Sequence, residues 1–156
     1  MLGGLWASPN TLLGLLAGGI GLALGARVQW RADELAFAFG RMPWFSHGAL
    51  TLGNVILHTG DSLDVACLTY AHRAGLTVEP CVSLARHERA HVYQYMVLGP
   101  LFLPLYLLCG GVSARNPFER AADRYAHTGA GWWPAAPSRR GRGWRRLGRH
   151  EPGCRP

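Results

Sequence analysis

The chain has no lysine: all 16 of its basic residues are arginine. Alongside 21 glycines and abundant alanine, this reads as the bias of a GC-rich genome rather than a functional choice. Paired cysteine spacing is missing too. Cys67, Cys81, Cys109 and Cys154 are scattered, with no C-x-x-C. That excludes a cysteine-based metal site and gives no sign of a disulfide framework. No charged side chain precedes Arg27. Without a positive charge ahead of its apolar part, the N-terminal stretch does not read as a signal peptide. Beyond residue 128 no hydrophobic period appears, and nothing there specifies sequence-selective nucleic-acid recognition.

What is present suffices for one domain with a real core, at 156 residues. The net charge of +7 is concentrated at one end. Residues 131–156 hold seven arginines against Glu151, giving +6, while the other 130 residues are close to neutral. This tail, rich in Gly, Pro, Trp and Arg from 129 to 156, is expected to be disordered and to bind anions weakly and nonspecifically.

Residues 11–26, TLLGLLAGGIGLALGA, are uncharged. Ser8 suits an N-cap and Pro9 the first helical position. A helix over residues 9–26 would be ~27 Å long, enough for a bilayer core. Arg27 and Arg31 follow it, so the positive-inside rule puts the C-terminal flank in the cytoplasm. The expected organisation is an apolar anchor helix over 1–26, a metal-binding domain over 27–128 and the tail over 129–156. Its fold class is α+β. Residues 28–30 and 35–39 read as short strands, and 49–58, ALTLGNVILH, as a strand with a turn or bulge at Gly53-Asn54. Residues 61–74 admit a helix.

Residues 87–91 read His-Glu-Arg-Ala-His, the H-E-x-x-H pattern of zinc hydrolases. On a helix from about residue 81 to 98, His87 and His91 leave the same face and can reach one metal ion. Glu88 is rotated by roughly 100° from His87. There it can take a proton from a water that the metal activates. A catalytic zinc site needs a third protein ligand. Glu119, which opens a second helix after Asn116-Pro117, can supply it. The same carboxylate, at the third helical position, would also complete a capping box with Asn116, so capping and metal binding compete for it. Asp123, one turn on, can accept from a ligand histidine and fix its orientation; between Arg120 and Arg124 it could equally face solvent. Gln94 falls on the metal face, at i+3 from His91, where it could hold a water or a substrate carbonyl or be satisfied by backbone. The other histidines show no ligand spacing.

The pairing of His87-Glu88-x-x-His91 with Glu119-x-x-x-Asp123 resembles the gluzincin branch of zinc metallopeptidases. The longer strings HERAHVYQY and NPFERAAD are similar to small uncharacterised bacterial proteins predicted to be metallopeptidase-like. The resemblance covers about residues 80–127, with a fainter match at 49–57. It implies a zincin-like helix, Zn²⁺ held by His87, His91 and Glu119, Glu88 as the catalytic base, a strand ahead of the helix that pairs with extended substrate, and a peptide or protein substrate. No residue for stabilising an oxyanion is identifiable.

Residues 95–112 carry no charge over 18 positions, which by length is a membrane-span candidate. A straight span would put His91 and Glu119 on opposite sides, ~27 Å apart, whereas ligands of one zinc lie about 2 Å from it. With Pro100 and Pro104 interrupting it, the segment is expected to bend, as a re-entrant, interfacial or core element. The combined expectation is a membrane-associated zinc hydrolase touching lipid through 9–26 and through 95–112. The alternative is a non-catalytic zinc-binding or membrane scaffold protein.

Overall fold

A computed structural model describes residues 2–44, 46, 48–76 and 81–134. The tail beyond residue 134, for which disorder was the expectation, lies outside them. The fold is α+β. A short helix, α1 (Leu2–Trp6), and a longer one, α2 (Ser8–Ala23), lead into strands β1 (Arg27–Arg31), β2 (Ala36–Gly40), β3 (Ala49–Leu52) and β4 (Val55–His58). After β5 (Ala66–Leu68), α3 (Tyr70–Arg73) and β6 (Cys81–Ser83) comes the long helix α4 (Leu84–Leu98). A 3₁₀ turn (Gly99–Leu101) then leads to α5 (Phe102–Leu108), and α6 (Pro117–Thr128) packs back along α4.

The four strands form one mixed sheet in the order β1-β2-β4-β3, with β2 and β4 parallel and the other pairs antiparallel. Strand alternation then divides the core. Phe39, Val55 and Leu57 face α2, while Ala36, Ala38 and Ile56 pack with Leu84, Ala85 and Val92 of α4. The sheet is therefore sandwiched between α2 and α4. Thr51 pairs with Ile56, so it shares the face that looks toward α4. β3 ends the sheet and lies alongside α4.

Glu34, fully buried in the β1–β2 connection, ties the sheet to α4. It accepts from Arg31 Nε at 2.9 Å and from Arg89 Nη2 at 2.8 Å. Arg89 is one of the two variable positions of the His-Glu-Arg-Ala-His stretch.

Several local expectations change. Ser8 is inside a helix rather than capping one: Ala7 precedes α2 with helical backbone angles and no side-chain cap, because α1 already supplies the preceding turn. Within 61–74 only Tyr70–Arg73 is helical, since Ala66–Leu68 pairs instead with Cys81–Ser83. That pairing also delays the start of α4 to Leu84, where the Ser83 side chain caps it. Cys81 is disulfide-bonded, while Cys67 and Cys109 are free.

The apolar segment 95–112 is not straight. Gly99 adopts φ 55°, ψ −130°, and a Cβ there would meet the Trp6 indole at 2.5 Å, so the chain can turn here only as glycine. A second turn through Cys109, Gly110 and Gly111 reverses the direction. Asn116 secures that reversal: its amide nitrogen donates to the carbonyls of Tyr106 and Gly111 at 3.1 and 2.7 Å. His91 and Glu119 consequently lie on one side.

Candidate metal centre

His87 and His91 leave one face of α4 a single turn apart, and their rings meet edge to face with centroids 4.9 Å apart. His87 Nε2 and His91 Nε2 are separated by 3.2 Å. The opposite ring nitrogens are engaged elsewhere. His87 Nδ1 lies 3.0 Å from Asp123 Oδ1, and His91 Nδ1 lies 2.8 Å from Gln94 Oε1. The orientation of the Gln94 amide is fixed independently, because its nitrogen donates to the carbonyls of Phe118 and Trp132 at 3.3 and 2.7 Å. Both Nδ1 partners are thus acceptors. Each Nδ1 then carries a hydrogen, so that either ring, when neutral, turns a lone pair inward at Nε2.

Glu119 arrives from α6. Asn116 caps that helix by accepting from Phe118 N–H at 2.9 Å, and Pro117 takes the first helical position. The carboxylate of Glu119 turns to the histidines: Oε2 is 3.1 Å from His87 Nε2 and Oε1 is 3.6 Å from His91 Nε2. Tyr106 donates its hydroxyl to Glu119 Oε1. Glu119 Oε2 is buried with no aligned hydrogen-bond donor, even though His87 Nε2 is close.

Two lone pairs and a carboxylate, all buried, converge with their ligand atoms within 4.8 Å of one another. Removed from water, such a group requires a cation among its members. A proton is the smallest that can serve. Burial opposes charge on His87, yet Asp123 and Glu119 outweigh it and hold the ring's pKa well above the ordinary value. Burial likewise opposes ionisation of Glu119, but the close His87 and His91 rings keep its pKa far below the carboxylate range. A metal ion answers the same demand with more charge, and the donors fit one: His87, His91 and Glu119 form a buried group that could bind a metal.

Glu88 lies close by but is held separately. Its Oε2 accepts from Thr51 Oγ1 of β3 at 2.6 Å. A half-open cleft of about 480 Å³, open solvent included, runs between β3 and α5. Ala49, Leu50 and Thr51 form one wall, Phe102, Leu103 and Tyr106 another, and His87, Glu88, His91 and Glu119 the floor. A second cleft shares Ala49, Tyr70, His87 and Glu88 with the first and continues past Thr69 and Arg73 to Asp123. Tyr70 overlooks both. Burial, reinforced by Glu119 and Glu88, pushes its hydroxyl up to about 12, and the Tyr106 hydroxyl is raised too, by burial and Glu119. Both are protonated at neutral pH and can donate.

No protein-family model matches the chain, and no curated protein or solved structure is significantly similar to it. The site's geometry alone therefore carries the functional argument.

Of the residues singled out in the sequence, His87, Glu88, His91, Gln94, Glu119 and Asp123 all lie at this centre. Gln94 does not face the cleft as a holder of water or substrate; it orients His91. Sequence reasoning missed Thr51, Tyr70 and Tyr106. Thr51 belonged to a segment already suspected of bordering the site, so its polar side chain was the available signal. The two tyrosines had none, because only the reversal after α5 and the β5–β6 pairing bring them in.

Proposed function

We propose that the chain is a membrane-associated zinc metallohydrolase acting on peptide bonds. The observation that carries this is the separation of two buried carboxylates. Glu119 joins both imidazoles, whereas Glu88 is anchored by Thr51 on the cleft floor. Two histidines and one carboxylate are the donor set of catalytic zinc, which leaves one position open. When bound, zinc would acidify water and polarise a carbonyl oxygen.

The chain's own residues account for the remaining roles. Glu88 takes the proton of the attacking water and returns it to the leaving amine. Thr51 holds that carboxylate in place. Asp123 and Gln94 keep both imidazoles in the tautomer that presents Nε2. Tyr70, on the cleft wall, is the hydroxyl that could donate to an oxyanion, since the Tyr106 hydroxyl already donates to Glu119. At the end of the sheet, β3 offers backbone groups to an extended peptide.

The alternative is a zinc-binding scaffold without catalysis. A structural metal site has no use for Glu88 held beside an open cleft, which favours the hydrolase. Lipid contact through residues 9–26 and 95–112 is part of the proposal, with Arg27 and Arg31 placing the catalytic part on the cytoplasmic side. The basic tail would add weak anion binding, with no specific nucleic-acid target.

Zinc content and hydrolysis across a broad peptide panel test the reading together. About one zinc per chain with cleavage is expected; zinc without cleavage of any peptide would favour the scaffold. For sidedness, a cysteine at Arg115 should react with an impermeant reagent only after lysis.

A further inference from the structure

The helix α2 is built inside out. Its buried residues are Asn10, Gly14, Gly18 and Gly21, while Leu12, Leu13, Leu16, Ile20 and Leu22 are exposed. The glycines allow close approach: a Cβ at Gly14 would meet Val55 at 2.6 Å, and one at Gly18 would meet the Phe39 ring at 2.5 Å. Small residues inward and leucines outward is the arrangement of a helix whose outer medium is lipid. The same apolar surface extends on both sides. The Trp30 and Phe37 rings meet at a tilt, centroids 4.7 Å apart, on the sheet face that α2 covers, and both are exposed. At the other end α2 packs on the 3₁₀ turn, Asn10 donating to the Gly99 carbonyl at 3.2 Å, and α5 grows from that turn. α5 is FLPLYLL, yet only Phe102 is buried. An exposed helix that is apolar on all sides belongs in a membrane or against one.

This surface reaches the mouth of the metal cleft. Leu50, Leu103 and Val112 line the cleft, and Leu50 and Val112 are themselves exposed. Among the described residues, the only charged side chains lining that cleft are those of the centre itself. The occupant of the outer surface is a bilayer rather than a second copy. No charge interrupts residues 2–26, exposed tryptophans flank the surface, and the tail's +6 complements anionic headgroups.

We infer that the substrate is a polypeptide held at a lipid bilayer, which enters the cleft over α5 with an apolar residue between Leu50 and Val112. This substrate assignment rests on the hydrolase reading; the docking surface does not.

The test uses the full chain in vesicles of phosphatidylglycerol and phosphatidylcholine. Spin labels go at Leu16→Cys, Leu108→Cys and, as an aqueous control, Arg120→Cys, with the native cysteines changed to serine. If that background fails to fold, native Cys109, exposed beside Leu108, takes the label instead. Labels at 16 and 108 should collide with oxygen more than with a water-soluble nickel chelate, and the label at 120 should do the reverse. Water-like behaviour at 16 and 108 overturns the docking surface, and shielding from both reagents would mean that a second copy covers it.

In a second arm one apolar fluorogenic peptide is offered free and lipid-anchored. The anchored form should be cleaved at least about tenfold faster, since sharing a surface raises effective concentration. The Leu101→Asp/Leu108→Asp variant should keep its zinc and its free-peptide cleavage but lose that preference. Equal rates on both forms overturn the substrate inference and leave the hydrolase standing. Cleavage of neither form overturns the hydrolase reading and the substrate with it, while the labels still decide the surface.

Discussion

His87 Nε2 and His91 Nε2 face each other across 3.2 Å, each ring turned that way by an acceptor behind it. Two inward lone pairs beside the Glu119 carboxylate repel one another unless a cation stands between them. Everything expected of the site follows from that relationship.

Metal content should depend on all three donors. Wild type is expected to hold about one zinc per chain, and His87→Ala, His91→Ala and Glu119→Ala should each lose it, because two ligands rarely retain zinc. Elemental analysis after dialysis checks this. Undiminished zinc in all three variants would move the site elsewhere.

Glu88→Gln should retain zinc and fold yet lose hydrolysis, since an amide cannot accept the proton. Thr51→Val should lower kcat about tenfold with zinc unchanged, the worth of one hydrogen bond to a charged group. Were Glu88→Gln to lose zinc, Glu88 would be a ligand and its assigned role wrong.

Asp123→Asn and Gln94→Leu remove the groups that orient the imidazoles. Each should weaken zinc binding about 10- to 100-fold without abolishing it. Competition against a calibrated chelator would read this directly, and affinities equal to wild type would show that the two contacts orient nothing.

Zinc stabilisation should grow with pH. His87 is held charged above its ordinary value because Asp123 and Glu119 overcome the effect of burial. A histidine raised in the folded state stabilises fully below its unfolded value of about 6.5 and loses that contribution as pH climbs through the folded value. Zinc requires the neutral ring, so its binding strengthens over the same window. The rise in Tm on adding zinc should therefore be larger at about pH 8 than at about pH 6; a smaller rise would contradict the assignment.

Stability should fall sharply when the sheet loses its tie to α4. Glu34→Ala leaves Arg31 and Arg89 without their buried partner and should cost about 3 kcal/mol or more, measured by urea unfolding. A loss within the range of an exposed ion pair, below about 1 kcal/mol, would show that the network is only superficial.

The candidate ligand face was legible in the sequence because helical periodicity is local. Spacing by four puts His87 over His91, and Glu119 over Asp123, whatever the rest of the chain does. The break at Gly53-Asn54 was legible locally too, as a turn or bulge, though that the two halves pair as a hairpin was not. The helix suggested for 61–74 was not decided locally. Its backbone groups pair with Cys81–Ser83, a partner more than ten residues away that no short window contains.

By itself, the sequence determined which residue types could chelate a metal and which helix faces carry them. Only the tertiary structure decided how Glu119 and Gln94 are used, since one could have capped its helix and the other faced the cleft. The reversal at Gly99 and through Cys109–Gly111 brings α6 against α4, so Glu119 meets His87 and Tyr106 rather than its own helix terminus. Thr51, Tyr70 and Tyr106 reach the cleft by the same folding. Composition marked α2 as apolar, but contact with the sheet determined that its glycines face inward and its leucines outward. Side-chain volume is the reason: at the Val55 and Phe39 contacts no Cβ fits, so the glycine stripe must be the face that docks.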